Sequence, residues 1–285
     1  MTGVLNVIAT PIGNLQDWSP RAQQTLQQCR LILAEDTRTT RRLLAATGTS
    51  CKGIRLLSCP AAQEHDRIKH VLEALQHNQA VGFVSEAGSP AISDPGGRIV
   101  QAVAAAGYCV HVLPGPSSPI AALMGAGLQT GRFAFLGFLP KGSKTRKQMI
   151  QAALQAKLAV VICEAPSRVA TLLKDLHHWC GPRHVVVARE LTKRFETFHR
   201  GTLGEELSPP YKAQGEAIVI VDATDTTTNR HLSKQQMKQL QQQSQQLLQQ
   251  GLSARDVTQE LHSKTQLPKR EIYQLVQQVR TLSQK

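Results

Sequence analysis

Two glycine- and serine-rich loops, about 30 residues apart, carry the side chains best suited to bind a small molecule. Residues 88–90 (Gly-Ser-Pro) follow one apolar run, and residues 114–118 (Pro-Gly-Pro-Ser-Ser) follow another. Glycine lets a ligand approach the backbone closely, and serines at a helix start offer hydroxyl and N–H groups. Ligands of open α/β sheets bind beyond the carboxyl ends of the strands, so the two loops predict one shared site. Neither loop matches GxGxxG or GxxxxGK[ST], which argues against an ordinary dinucleotide or Walker A site.

A cluster of cations indicates a polyanionic partner. Lys141, Lys144, Arg146 and Lys147 crowd the segment after an apolar run, where residues 142–143 (Gly-Ser) predict a mobile loop. The segment misses the P-loop pattern because its lysine and serine are out of order. We interpret it as a clamp for an RNA backbone, which Arg38, Arg41 and Arg42 could extend, with solvated surface charge as the alternative. The net charge of +13 and the pI of about 9.8 favour RNA, DNA or an anionic membrane as partner.

Behind these residues the chain alternates between strand-like and helix-like segments. We predict strands at residues 4–9, 31–34, 56–57, 81–84 and 110–113, then at 132–138, 158–163, 185–188 and 217–221. This alternation implies an α/β fold with a parallel N-terminal sheet and right-handed crossovers. We place an N-terminal α/β domain at 1–115, a second α/β domain at 116–224, and a polar linker at 222–231.

The C-terminal segment, residues 230–285, is rich in glutamine and predicts three helices. A glycine at 251 ends the first helix, Ser253 caps the second, and Leu267-Pro268 opens the third. Nine Lys and Arg against three Asp and Glu give this segment a net charge of +6. A helix-turn-helix-like module that contacts nucleic acid through Lys269 and Arg270 is one interpretation, and a packing or dimerisation module is the other.

Cysteine and histidine positions favour neither disulfides nor a metal. The six cysteines have no CxxC pair, and Cys109 and Cys163 lie inside apolar runs, as expected of buried, reduced thiols in a cytosolic protein. His177 and His178 have no further residues at ligand spacing around them, so we expect no metal site. No signal peptide and no membrane-spanning run is evident, so a cytoplasmic location is expected.

Seven motifs in one order carry a resemblance to a known family. They are ATPIGNL (9–15), AEDTR (34–38), GSPAISDPG (88–96), LPGPSS (113–118), GFLPKGSKTR (137–146), EAPSR (164–168) and RELTKRFET (189–197). Together they resemble the tetrapyrrole-methylase-like methyltransferases that act on ribosomal RNA. The sequence has Glu86, Ser89 and Ser167 where that family usually carries Asp, Thr and His.

The resemblance implies a fold, an activity and a set of contacts. It implies two α/β domains with S-adenosylmethionine between them, a homodimer, and 2′-O-ribose methylation of a cytidine in the decoding region of 16S rRNA, within the small ribosomal subunit. The implied cofactor contacts are Pro11, Ile12, Gly13, Gly88, Ser89, Ile92, Ser117, Ser118, Glu164 and Ala188.

The general base of such a reaction stays open at this point. Lys193, Glu190, Asp36 and Glu35 all follow predicted strands and could face the cleft, and structural ion pairs are the alternative. Lys193 would need a lowered pKa to act as a base. A tetrapyrrole methyltransferase and a non-catalytic RNA-binding protein remain the competing functions, although a macrocycle needs neither a basic loop nor a basic tail.

Overall fold

The computed structural model divides the chain into two compact units, Met1–Ala223 and Thr224–Lys285. Both sheets lie in the first unit, whereas three helices form the second. The residues described are 3–50, 52–128, 130–225, 234–265 and 269–283.

The first sheet is parallel, as predicted. Its strands are β1 (Val4–Ile8), β2 (Leu31–Ala34), β3 (Arg55–Ser58), β4 (Ala80–Val84) and β5 (Cys109–Leu113). They lie in the order β3-β2-β4-β1-β5, and every pairing is parallel. Because β5 is an edge strand, Cys109 is exposed, contrary to the prediction that it is buried.

Helices cover both faces of this sheet. They are α1 (Pro20–Gln28), α2 (Thr37–Ala46), α3 (Glu64–Gln76) and α4 (Gly97–Ala105). Leu31 and Leu33 pack in the core with residues of α3 and α4, whereas Ile32 packs with α1 and α2. Burial on both faces explains why the strands are continuous apolar runs rather than alternating ones.

The second sheet is mixed rather than parallel. Its strands are β6 (Phe133–Phe138), β7 (Ala159–Glu164), β8 (Arg183–Arg189), β9 (Thr197–Thr202) and β10 (Ala217–Asp225), in the order β6-β7-β10-β8-β9. β6 and β7 pair in parallel, whereas β10 with β7 and β9 with β8 are antiparallel. The accompanying helices are α5 (Ser118–Ala126), α6 (Ser143–Gln155) and α7 (Pro166–Cys180).

Three sequence predictions about this sheet were wrong in detail. β9 was missed because its residues, TFHRGT, are mostly polar. The predicted linker at 222–231 is wrong at 222–225, which continue β10, and the remainder of it lies outside the described residues. The prediction of a mobile basic loop is also wrong, because α6 begins at Ser143 and places Lys144, Arg146 and Lys147 on a helix.

The second unit consists of α8 (Lys234–Gln249), α9 (Ala254–Thr265) and α10 (Lys269–Ser283), as the sequence predicted. Leu240, Val257, Leu261, Ile272 and Val276 are among the buried residues of its core. Within the described residues, no helix is both long and apolar enough to cross a membrane.

Candidate active site

A cleft of about 460 Å³ is lined by residues from both sheets of the first unit. Eight of the ten predicted cofactor contacts line it: Ile12, Gly88, Ser89, Ile92, Ser117, Ser118, Glu164 and Ala188. The loops after β1, β2, β4 and β5 meet there because the carboxyl ends of parallel strands share one edge of a sheet.

Direct hydrogen bonds fix the loops of the first sheet to one another. The Thr10 N–H donates to the Gly88 carbonyl at 2.9 Å, and the Gly88 N–H donates to the Thr10 carbonyl at 3.1 Å. The Ser89 hydroxyl donates to the Pro116 carbonyl at 3.3 Å. Gly88 has a φ of +80°, and a Cβ there would lie 3.2 Å from the Ile12 side chain, so glycine is required for this close approach.

The N-terminus of α5 faces the cleft with donors that no cap satisfies. Ser117 is the N-cap residue, yet its side chain makes no capping hydrogen bond, and Pro119 occupies the first turn. Ser117, Ser118 and Pro119 all line the cleft. Unsatisfied N–H groups at the start of a helix favour a negatively charged group, such as a ligand carboxylate.

Pro11 and Gly13, the other two predicted contacts, do not line the cleft. A Cβ on Gly13 would lie 2.6 Å from the Lys193 side chain and 3.0 Å from the Leu191 carbonyl. Gly13 therefore allows the loop after β1 to pack against the loop after β8. Leu191, which belongs to that second loop, is a lining residue.

Five carboxylates and, among the described residues, no cationic side chain line the cleft; they are Glu35, Glu86, Asp94, Glu164 and Glu216. Burial raises the pKa of Glu35, and the charges of Asp94 and Glu86 raise it further. Burial also raises the pKa of Asp94. The cleft thus suits a cationic ligand and holds carboxyl groups whose proton affinity is increased.

Lys193 and Glu190 form an ion pair beside the cleft rather than lining it. The Lys193 Nζ lies 3.1 Å from Glu190 Oε1 and 3.3 Å from Glu216 Oε2. Burial favours the neutral amine, but the bonds to the two carboxylates outweigh it and raise the pKa of Lys193. A lysine base needs the opposite shift. Hydrogen bonds from the Glu216 N–H and from Lys193 lower the pKa of Glu190, so it is a weakened base too.

Asp36 has a structural role at the start of α2. Its carboxylate caps the helix by accepting the Arg38 N–H at 2.7 Å, and it also accepts the Arg38 guanidinium. These hydrogen bonds lower the pKa of Asp36 to about 2. The neighbouring Glu35 faces the cleft instead, which sequence spacing alone did not distinguish.

The cations predicted to contact RNA are in different environments. Arg38, Arg41, Lys141, Lys144 and Lys147 are exposed. Arg146 is not, because its side chain is only 17% exposed, lies 3.8 Å from Asp175 and stacks over the Trp179 ring. Lys269 and Arg270 begin α10, but their side chains lie outside the described residues.

Sequence reasoning missed several lining residues. Ile218 comes from β10, Glu216 immediately precedes that strand, and Phe135 and Phe138 come from β6. The sequence held a signal for Asp94, because this residue belongs to the motif GSPAISDPG that carries the resemblance. Ser167, the departure from the family pattern, is exposed and lines neither this cleft nor the cavity beside it.

The chain is similar in sequence to a known family of methyltransferases. The family model of Tetrapyrrole (Corrin/Porphyrin) Methylases matches residues 4–206. A Synechocystis protein named Ribosomal RNA small subunit methyltransferase I is 38% identical over 276 residues, 96% of this chain and 97% of that protein. An Escherichia coli O157:H7 protein of the same name is 39% identical over 225 residues, 77% of this chain and 78% of that protein.

Solved structures show the same fold at lower identity. The crystal structure of the methyltransferase CobJ matches with a TM-score of 0.60 at 21% identity, covering 81% of this chain and 98% of CobJ. Uroporphyrin-III-C-methyltransferase from Thermus thermophilus matches with a TM-score of 0.53 at 15% identity, covering 81% of this chain and 100% of that protein. The family model and the identity to full-length relatives together show that the chain belongs to the tetrapyrrole methylase family of methyltransferases.

Proposed function

We propose that the protein transfers a methyl group from S-adenosylmethionine to a ribose 2′-hydroxyl of 16S rRNA in the small ribosomal subunit. The target we propose is a cytidine of the decoding region. Curated relatives that are 38–39% identical carry the name Ribosomal RNA small subunit methyltransferase I. The observation that carries the proposal is the cleft, which brings together eight expected cofactor contacts and a carboxyl group with a raised pKa.

The residues of the cleft fit the chemical groups of S-adenosylmethionine. Ile12, Ala188, Leu191 and Ile218 provide an apolar wall for the adenine ring. The uncapped N-terminus of α5 suits the methionine carboxylate. The lining carboxylates suit the sulfonium and amino cations. When bound, the cofactor supplies an electrophilic methyl group.

Positioning and proton acceptance are the tasks left to the protein. Holding a ribose oxygen in line with the methyl–sulfur bond, about 3–3.5 Å from the methyl carbon, accounts for roughly 7–11 kcal/mol of such a barrier. We assign the acceptance of the 2′-hydroxyl proton to Glu35, because it lines the cleft and its pKa is raised. A general base contributes about 10²–10⁴-fold to such a reaction.

A homodimer in the cytoplasm completes the proposal. Val112 on the edge strand β5 is 67% exposed, and Met124 and Ile120 on α5 are 83% and 44% exposed. Exposed apolar side chains that form a patch mark protein interfaces, and we propose these three as part of the dimer interface. The edge strand β5 also offers unpaired backbone groups to a partner.

Transfer of tritium from labelled S-adenosylmethionine to small subunits that lack 2′-O-methylation tests the function. Primer extension at low dNTP concentration then maps the product. One ribose-dependent stop at a decoding-region cytidine is the expected result. Tight cofactor binding without incorporation into RNA would favour another acceptor, such as a tetrapyrrole, and absence of cofactor binding would favour a non-catalytic RNA-binding protein.

A further inference from the structure

A second cavity, of about 300 Å³, adjoins the cofactor cleft, and we refer to it as the basic groove. Three cations line it, Lys141, Arg146 and Arg168, together with one carboxylate, Glu164. Glu164 also lines the cofactor cleft, so the two cavities meet at this residue. The basic groove therefore lies beside a cleft that has carboxylates and, among the described residues, no cation.

Arg168 neutralises the charge of Glu164, and the Nη1 side of its guanidinium takes no part in this ion pair. Its Nε lies 2.8 Å and its Nη2 2.6 Å from Glu164 Oε1, and Nη1 takes no part in these bonds. The Glu164 side chain is 5% exposed, whereas the Arg168 side chain is 58% exposed. Glu164, the one carboxylate among the described residues that line the groove, is already paired, so Lys141 and Arg146 leave the groove with an excess of positive charge.

Arg146 adds a weakly paired cation to the same groove. Its Nε is buried and has no hydrogen-bond partner. Its closest carboxylate contact is 3.8 Å to Asp175, which is too long for a hydrogen bond. Asp175 therefore compensates the charge of Arg146 only weakly, and this cation adds to the positive potential of the groove.

We propose that the basic groove binds the backbone phosphate next to the ribose that enters the cofactor cleft. The inference rests on the proposed RNA substrate. The carboxylates of the cleft repel phosphates. An RNA strand whose ribose enters the cleft therefore needs a cationic binding site for the adjacent phosphate immediately outside it. Phosphate contacts fix the register of a nucleic acid without reading its sequence, and an arginine edge binds phosphate with directional hydrogen bonds.

Two substitutions in the groove and one outside it test the proposal in the full-length protein. Lys141→Glu reverses an exposed charge of the groove, and Arg168→Lys keeps an ion-pair partner for Glu164 but removes the fork. The control is Lys174→Glu, an exposed residue on α7 that does not line the groove. It lies six residues after Arg168, about 120° around the helix.

Binding of small ribosomal subunits and of S-adenosylmethionine is measured for each variant over a range of salt concentrations. We expect the Kd for subunits to rise about tenfold in both groove variants. In Lys141→Glu the slope of log Kd against log salt should fall by the equivalent of about one phosphate contact, whereas Arg168→Lys keeps its charge and should leave the slope unchanged. The control and all cofactor affinities should match the wild type. Separately measured methyl transfer should show the same loss at low subunit concentration and a normal rate at saturation.

The outcomes separate the groove from the proposed function. If the groove variants bind subunits as tightly as the control does, the basic groove does not bind a phosphate and the proposal is wrong. If the wild-type protein binds subunits but transfers no methyl group to them, the proposed function is wrong. The comparison of subunit affinities between the variants and the control still tests whether the groove binds phosphate. A wild-type protein that does not bind subunits overturns both.

Discussion

Glu64, on α3, caps the neighbouring helix α4 at Gly96. Its carboxylate Oε1 accepts the N–H groups of Gly96 at 3.0 Å, Arg98 at 2.7 Å and Ile99 at 3.3 Å. Gly96 has no side chain to cap its own helix, and a Cβ there would lie 2.1 Å from the Phe83 ring. A residue distant in sequence therefore supplies the cap and fixes the end of the loop that carries Asp94 into the cleft.

Substitution of Glu64 should weaken both the fold and the cofactor cleft. We expect Glu64→Ala to lower the free energy of unfolding by about 2–3 kcal/mol, because it leaves three N–H groups, two of them buried, without an acceptor. Cofactor affinity should fall as well, since the loop of Asp94 loses its anchor. Urea unfolding and calorimetric titration measure the two effects. Glu73→Ala, at an exposed site on the same helix, should cost at most about 0.5 kcal/mol.

Sequence patterns predicted the strands and two of the loops that line the cleft, because each is a local signal. Every predicted strand overlaps an observed one, since buried parallel strands are short apolar runs. The loops after β4 and β5 were found because glycine and serine mark a close approach of the backbone.

Features that depend on tertiary partners were not predictable from the sequence. Glu35 and Asp36 are adjacent in the chain, but Asp36 caps α2 while Glu35 lines the cleft. Arg146 belongs to a run of cations, yet Asp175 and Trp179 on α7 contact it. β9 is polar and becomes a strand through its pairing with β8.

Gly13→Ala should lower cofactor affinity through the contact between two loops. The added Cβ would overlap the Lys193 Cγ at 2.6 Å and the Thr192 Oγ1 at 2.8 Å, and it meets the Leu191 backbone at 3.0 Å. We expect the Kd for S-adenosylmethionine to rise about tenfold and the free energy of unfolding to fall by about 1–3 kcal/mol. Titration calorimetry and urea unfolding provide the values.

The matched control for Gly13 is Gly97→Ala. No heavy atom lies within 4 Å of a Cβ at Gly97, and the residue begins α4. Alanine there should be neutral or stabilising by up to about 1 kcal/mol. Equal losses of cofactor affinity in both variants would argue that neither glycine acts through the Leu191 loop.

Charges placed at the exposed apolar side chains of β5 and α5 should prevent dimerisation. Met124→Lys and Val112→Lys change side chains that are 83% and 67% exposed, so the fold of one subunit should tolerate them. Light scattering after size exclusion should give a dimer for the wild type and a monomer for the variants, because an interface loses apolar burial and gains a buried charge. Gln76→Lys, exposed on α3, should remain a dimer. A wild-type monomer would refute the interface.

The rate of methyl transfer should rise with pH as Glu35 loses its proton. Burial and the charges of Asp94 and Glu86 raise the pKa of Glu35. The acidic limb of the pH–rate profile should therefore lie at higher pH than the titration range of an ordinary glutamate. Single-turnover rates over a range of pH measure it. Glu35→Gln should remove the limb and lower the rate by about 10²–10⁴-fold, because the carboxylate that we assign to accept the 2′-hydroxyl proton is gone.

Substitution of Asp94 tests whether its negative charge raises the pKa of Glu35. Asp94→Asn removes a negative charge that favours the protonated form of Glu35, so the limb should move to lower pH while the maximal rate changes less. Asp36→Asn should leave the limb in place, because the pKa of Asp36 is already about 2 and its carboxylate caps α2. A limb that survives in Glu35→Gln, or that moves to higher pH in Asp94→Asn, would assign the proton acceptor to another group.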